Sequence, residues 1–418
     1  MKVLIVGGGG REHALAWKIA KNKSVKKIYC APGNGGISRI AECLPIKAMD
    51  IKGIVDFSVE NKLDLVVVSP DDPLAAGMVD ALQDAGIRAF GPVKDAAIIE
   101  SSKSFSKNLM KKYGIPTAEY DIYDNPDDAL KSLRHRKYPL VIKADGLAAG
   151  KGVIIAQTYD IAAKAIHDIM RNRIFGEAGN KVILEEFLTG MEVTVLSFTD
   201  GKTLVPMVSS QDHKKAYDYD KGPNTGGMGA FSPSKYHTSE IADECMKTIF
   251  DPTIKALNKE GIKFKGVLYF GLILTENGPK VLEYNARFGD PETQVILPRL
   301  KNDIIEIFNA IIDEKLDQIN IEWDSRPAAC IIAASGGYPG KYQTGYEIEG
   351  LEEIEKEENV IVFHAGTKYE NERYYTAGGR VLGITALDNT FEMAVSRAYE
   401  GISKIGFKDM HYRKDIGV

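Results

Sequence analysis

Four times in its first hundred residues the chain repeats one pattern: a short apolar run passing directly into glycine, proline and small polar residues. The runs are 3–6, 27–30, 63–68 and 88–90, and the loops after them are 7–10, 31–36, 69–73 and 91–92. Helical spacing over 12–20 separates the first two runs. Such alternation predicts parallel strands with helices between them, and the wholly apolar run at 63–68 reads as a buried one. In a doubly wound sheet the loops leaving the strands share the carboxyl edge, where ligands bind. One ligand-binding pole is therefore expected from pattern alone.

Composition narrows the class. The chain has 40 glycines in 418 residues, above the usual ~7% and without a collagen period. That excess implies backbone held at positive φ or brought close to a ligand. Acidic residues outnumber basic ones, 58 to 53, which argues against a nucleic-acid partner bound through a broad basic field. No apolar run reaches 18 residues, and the N-terminus lacks the parts of a signal peptide, so no membrane partner and a cytoplasmic location are expected. Cys30, Cys43, Cys245 and Cys330 form no CxxC pair and read as buried thiols; the dispersed histidines suggest no zinc site.

Further along, a helix is predicted over 102–113, ended by Gly114 and Pro116. Residues 120–190 read as a small α+β unit, with strands at 140–143, 153–156 and 182–186 and a helix at 159–171. Strands follow over 193–208. The polar stretch 211–233 has no periodicity and reads as a long functional loop. A helix at 239–260 leads to a hairpin of 266–274 and 280–286, turned at Glu276-Asn277-Gly278. A single helix is predicted over 292–312, and a β-rich pattern runs from about 324 to the end.

Three segments carry chemistry. Gly7-Gly8-Gly9-Gly10-Arg11-Glu12-His13 lies between a strand and a helix, where a phosphate can rest on a helix N-terminus. A dinucleotide site is disfavoured there, because Glu12 stands at the third glycine position and Cys30 ends the second strand where a ribose-binding acid is needed. Gly146-Leu147-Ala148-Ala149-Gly150-Lys151-Gly152 resembles a Walker A loop but has too few residues between its glycines and no Ser or Thr for magnesium. Between two short strands it reads as a mobile hairpin loop able to close over phosphates; a merely flexible turn fits as well. In Val281-Leu282-Glu283-Tyr284-Asn285-Ala286-Arg287, a period of two puts Glu283, Asn285 and Arg287 on one face and Leu282, Tyr284 and Ala286 on the other. A carboxylate beside an amide oxygen suits Mg²⁺ that also binds phosphate and water, and Arg287 can clamp a phosphate.

Together these segments resemble the ATP-grasp superfamily and, within it, the glycinamide ribonucleotide synthetase family of purine biosynthesis. The resemblance rests on Arg287-Phe288-Gly289-Asp290-Pro291-Glu292-Thr293-Gln294, on 211–213 with 221–230, and on GGGGREHA, PGNGG, HAGT and AGGRVLG in family order. It covers essentially the whole chain. It implies a multidomain α/β protein with an ATP-grasp fold: a Rossmann-like pre-ATP-grasp domain at 1–102, an ATP-grasp domain at 103–324 with a mobile α+β lid at about 120–190, and a β-rich C-terminal domain at 325–418. The implied reaction joins glycine to 5-phosphoribosylamine with ATP, through an acyl phosphate. A monomer acting on these small molecules, with Mg²⁺ or Mn²⁺, is expected.

Carried over by residue, the resemblance makes Glu283 and Asn285 metal ligands and sets Arg287 at the transferring phosphate. Lys103 and Lys143 would contact nucleotide phosphates, under a lid loop that includes Gly150, Lys151 and Gly152. Glu185 would accept from the adenine amino group, the backbone of Glu186 and Leu188 would read the ring edge, and Glu192 would hold the ribose. Gly9, Gly10, Arg11, Glu12, Asn34, Gly35 and Asp71 would take the phosphoribosyl substrate. Asp212, as a catalytic group with Arg287, would line the glycine side with Thr225, Gly226, Gly227 and Met228. Two departures stand out: the strand at 267–274 has no acidic ligand, and Ser69-Pro70-Asp71-Asp72 replaces the usual Gly-Pro-Glu. An NAD-dependent oxidoreductase, a ligase of other substrates and a non-catalytic ATP sensor each leave part of this constellation unused.

Overall fold

The computed structural model describes residues 1–148 and 152–418. Lys2–Gly7 is the middle strand of a five-stranded, wholly parallel sheet. Lys27–Pro32 and Leu65–Val68 flank it, with Glu42–Cys43 and Ala89–Phe90 at the edges. Its side chains alternate between two cores: Val3 and Ile5 enter one, Leu4 and Val6 the other. A strand buried on both faces needs apolar residues at every position, which is why the run is unbroken.

An antiparallel sheet follows, in the order Leu204–Pro206, Met191–Thr199, Gly266–Thr275, Gly278–Asn285. It shares both cores with the first sheet: Phe198 and Val267 pack with Val3, while Phe270 and Val281 pack with Leu4. The lid sheet, Tyr120–Tyr123, Val182–Glu186, Leu140–Ala144, Val153–Ala156, has a core of its own that includes Leu133, Ile142, Ile166 and Leu184. The predicted helix at 159–171 is a helix, Tyr159–Ile166, that continues as a π-helical turn over His167–Arg171.

The last sheet runs Gln211–Asp212, Gly229–Ser232, Ala328–Ala334, Arg380–Leu387, Val360–His364. Besides its strands, the C-terminal part carries the helix Phe391–Ser403, whose Val395, Ala398 and Ile402 share a core with Ile331 and Ile384. No helix among the described residues is long and apolar enough to cross a membrane.

Three expectations are corrected. The stretch 211–233 is no unstructured loop: it holds the strands Gln211–Asp212, Lys215–Tyr217, Lys221–Asn224 and Gly229–Ser232. Strands this short are below the length at which alternation is visible, and the last pairs with Ala328–Ala334, far along the chain. The single helix over 292–312 is broken into Thr293–Ile296, a 3₁₀ turn at Leu297–Arg299, and Ile304–Ile312. Pro298 lacks an N–H for the helical ladder, and Asp303 opens the new helix by accepting from Ile305 N at 2.9 Å. The hairpin strand carries a bulge at Leu282, since Gly271 faces Glu283 while Leu272 faces Val281. Val281, not Leu282, therefore joins Tyr284 and Ala286 in the core; an extra residue shifts the side-chain alternation by one.

Candidate active site

The site lies where the carboxyl edge of the parallel sheet meets the end of Gly278–Asn285. Glu283 and Asn285 point away from the core face of that strand. Lysines from three other elements converge on Glu283: Lys103 from the helix Lys103–Tyr113, Lys143 from the lid strand Leu140–Ala144, and Lys214 from the central segment, whose Nζ is 3.4 Å from Oε1. Burial alone would push the Glu283 carboxyl up, but the three ammonium groups hold it at about 2. Asp212, ahead of Glu283, keeps Lys214 firmly charged. Lys103 also donates to Gly146 O at 2.9 Å, and Lys143 to Leu282 O at 3.0 Å, which ties the lid to the hairpin.

Arg287 follows this strand. Its Nη2 is 3.0 Å from Glu100 Oε1 and 4.0 Å from Asp71 Oδ2. Glu100 also accepts from Ala286 N at 2.7 Å, so one carboxylate holds both the backbone and the side chain beside the site. Burial raises the Glu100 carboxyl; at Asp71, Arg287 and Arg11 outweigh burial and lower it. Glu292 is buried behind Asp212, accepts from Tyr269 Oη at 2.9 Å, and is pushed up by burial and by Asp212. Among the described residues, no three acidic, His or Cys side chains gather into a metal cage. Glu283 and Asn285 are thus two hard oxygen donors without a third, which fits a magnesium-like ion completed by phosphate and water.

The glycine-rich turn closes the other side. Gly9 N donates to Glu12 Oε2 at 2.6 Å, while Arg11 Nε and Ser69 Oγ both reach Glu12 Oε1 at 2.6 Å. Glu12 is therefore spent on shaping the turn. Arg11 Nη1 reaches Phe288 O at 3.1 Å. A Cβ on Gly8 would stand 2.4 Å from Gly33 O, so only glycine lets these two loops touch. Asn34 donates to Gly8 O at 3.0 Å and accepts from Gly36 N and Ile37 N. Gly35 N donates to Thr367 O at 3.0 Å.

The central segment is held from the C-terminal sheet. Arg380 Nη1 donates to Gly226 O at 2.7 Å and Asp290 O at 2.8 Å, and its Nη2 lies 3.2 Å from Asp290 Oδ2. Gly226 N donates to Tyr338 Oη at 3.0 Å, which brings the glycine cluster at 336–340 to the site. Thr225 Oγ1 donates to Lys214 O, Gly227 has φ +113°, and Met228 is fully buried.

Comparison with known proteins gives the family. Residues 1–100 match the phosphoribosylglycinamide synthetase N domain, 101–293 its ATP-grasp (A) domain and 328–418 its C domain. The chain belongs to the phosphoribosylglycinamide synthetase family. Phosphoribosylamine–glycine ligase of Caldanaerobacter subterraneus subsp. tengcongensis is 49% identical over 416 residues, covering 100% of this chain and 99% of that one. The Escherichia coli K12 ligase is 46% identical, covering 100% and 98%. The crystal structure of the Thermotoga maritima ligase superposes with a TM-score of 0.87 at 31% identity, covering 100% of both chains. The biotin carboxylase domain of Hydrogenobacter thermophilus 2-oxoglutarate carboxylase shares the ATP-grasp fold, with a TM-score of 0.75 at 16% identity over 98% of this chain and 91% of that one.

Within this family member, Lys103, Lys143, Asp212, Glu283, Asn285 and Arg287 come together as one cluster. Glu192 stands on Met191–Thr199 opposite Ile273, within electrostatic reach of Lys214 and Asp212. Glu185 is buried in the lid seam, and the Glu186 N–H is already spent on Glu119 O at 2.9 Å. Leu188 is half-buried just beyond. Gly152 is buried, whereas Gly150 and Lys151 lie outside the described residues. Sequence reading missed Glu100, Lys214, Glu292 and Arg380. Each is a single charged residue whose spacing carries no signal; Glu292, inside the 287–294 octapeptide, and Arg380, inside AGGRVLG, stood within recognised motifs but without a role of their own.

Proposed function

We propose that the chain ligates glycine to 5-phosphoribosylamine, consuming ATP and yielding glycinamide ribonucleotide, ADP and phosphate through glycyl phosphate. The observation that carries this reading is Glu283, held ionised by three lysines drawn from three elements, with Arg287 beside it. Such a cluster suits a polyphosphate and a transferring phosphoryl group, for which positioning and charge neutralisation are the main catalytic means.

A glycine carboxylate oxygen attacks the γ-phosphorus and ADP leaves. Lys103, Lys143 and Arg287 stabilise the charge on the phosphoryl oxygens. The amine of phosphoribosylamine then attacks the acyl carbon, phosphate departs with the bonding pair, and the amine sheds a proton. Asp212, with Thr225, Gly226, Gly227 and Met228, holds the glycine side. The turn Gly9, Gly10 and Arg11, shaped by Glu12, receives the phosphoribosyl group with Asn34, Gly35 and Asp71. Glu185, the Glu186 carbonyl and the backbone at Leu188 take the base, Glu192 takes the ribose, and the loop of Gly150, Lys151 and Gly152 covers the phosphates. Glu283 and Asn285 would hold Mg²⁺ or Mn²⁺, which when bound screens the phosphate oxygens. We read the enzyme as a cytoplasmic monomer composed of 1–102, 103–324 with its lid, and 325–418.

Phosphate release from ATP, measured with glycine and freshly made phosphoribosylamine, tests the assignment. Release should require both co-substrates. Release unchanged when glycine is omitted refutes it.

A further inference from the structure

The helix Lys103–Tyr113 presents two lysines one turn apart on one face. Lys103 goes to the phosphate cluster described above. Lys107 goes elsewhere: its Nζ is 2.9 Å from Glu185 Oε2 and donates to Thr117 Oγ1 at 2.7 Å. Lys143 Nζ lies 3.0 Å from that same Glu185 oxygen. Two ammonium groups thus share Oε2, while Oε1 is buried and has no hydrogen-bond partner. Both partners are almost completely enclosed, with Lys107 and Glu185 each 2% exposed.

The direction of this carboxylate follows from the lid sheet. Val182 and Leu184 of Val182–Glu186 enter the lid core with Leu140, Ile142 and Ala144 of the neighbouring strand. By alternation Glu185 lies on the opposite face with Lys143, toward the seam with the hairpin sheet, where Lys143 reaches Leu282 O and Thr117 Oγ1 donates to Val281 O at 2.7 Å. A buried carboxylate oxygen left without a donor is costly unless something supplies one.

We propose that Lys107 is a positioning residue for nucleotide-base specificity. By taking Oε2 together with Lys143, it turns Oε1 into a lone acceptor for the exocyclic amino group of a 6-aminopurine and sets it against the 6-carbonyl of a 6-oxopurine. The inference rests on the assignment of Glu185 to the base made above. Lys103 and Lys107 then divide the nucleotide between them, one turn of helix sending one ammonium to the phosphates and the other to the base.

The test compares kcat/KM for ATP and for inosine triphosphate in the wild type and in Lys107→Met, Lys107→Arg and Glu185→Gln, with thermal unfolding of each variant alongside. The wild type should prefer ATP by about 100-fold or more, since a site built around one hydrogen bond rejects the analogue that lacks it. Lys107→Met should bring that ratio to within about 10-fold, chiefly through a higher KM for ATP, and Lys107→Arg should retain most of it. If Lys107→Met does not fold, Lys107→Gln carries the same comparison. Equal losses with both triphosphates, leaving the ratio intact, would reduce Lys107 to a structural residue and overturn the proposal. A wild type without preference, or a Glu185→Gln variant that keeps it, would instead remove the assignment of Glu185 itself.

Discussion

The backbone N–H of His364 donates to Nδ1 of His13 at 2.7 Å, and the carbonyl of the same residue accepts from Asn34 Nδ2 at 2.8 Å. One residue of the C-terminal sheet is thus gripped on both sides, by a side chain of the helix Gly10–Ile19 and by one of the loop after Lys27–Pro32. Asn34 also holds the glycine-rich turn, so the clasp couples that turn to a strand some 350 positions away. As an acceptor at Nδ1, the His13 ring is neutral and carries its proton on Nε2.

The clasp makes stability depend on pH. Burial lowers His13 to about 4 and drives His364 well down, where His13 adds to the effect. Below about pH 6.5 the unfolded chain takes up protons that the folded one refuses. Stability is therefore full above that pH and falls as the solution is acidified toward pH 4, by up to about 3 kcal/mol for His13. Urea unfolding at pH 7 and pH 5 should differ clearly, and less so in His13→Gln. An equal difference in that variant would exclude His13 as the source.

Glu283→Ala should lower phosphate release by at least about 100-fold while the protein stays folded, because three ammonium groups lose the carboxylate that organises them. Excess Mn²⁺ should not restore turnover. Near-normal rates would sink the role given to this residue.

At Gly227 a Cβ would stand 2.4 Å from Pro291 Cδ, and the backbone is at φ +113°. Gly227→Ala should cost about 2–3 kcal/mol in chemical unfolding. Gly86→Ala should cost less, since Gly86 has φ +74° with nothing within 4 Å. Equal costs would mean that the Pro291 contact is readily relaxed.

Arg380→Gln should destabilise the protein by about 2–3 kcal/mol, because Asp290 keeps its half-buried charge while losing its partner. It should also raise the KM for glycine several-fold through a loosened Gly226. Unaltered glycine saturation would separate this arginine from the substrate side.

Much of the fold was legible in the chain because it follows local rules. The strand Lys2–Gly7 is apolar at each of positions 3–6 because both its faces are covered, and the helix Lys103–Tyr113 begins at a Ser102 cap and ends at Gly114 with φ +68°. Glu283 and Asn285 were readable as paired oxygen donors because their alternation survives beyond the bulge at Leu282. That bulge was not readable, since it exists only in the pairing of two strands.

Local periodicity, turn chemistry and motif order by themselves determined the parallel sheet, the hairpin, the strands of the 120–190 unit and the pairing of Glu283 with Asn285 on one strand face. Only the tertiary structure decided that the polar stretch at 211–233 supplies two strands to a sheet whose other strands lie between 328 and 387. It alone also decided which lone charges matter: Lys107 at Glu185, Glu100 at Arg287 and Arg380 at Asp290. A hydrophobic repeat is recorded in neighbouring residues. A charged pair is recorded only in a distance across the fold, and no spacing along the chain encodes it.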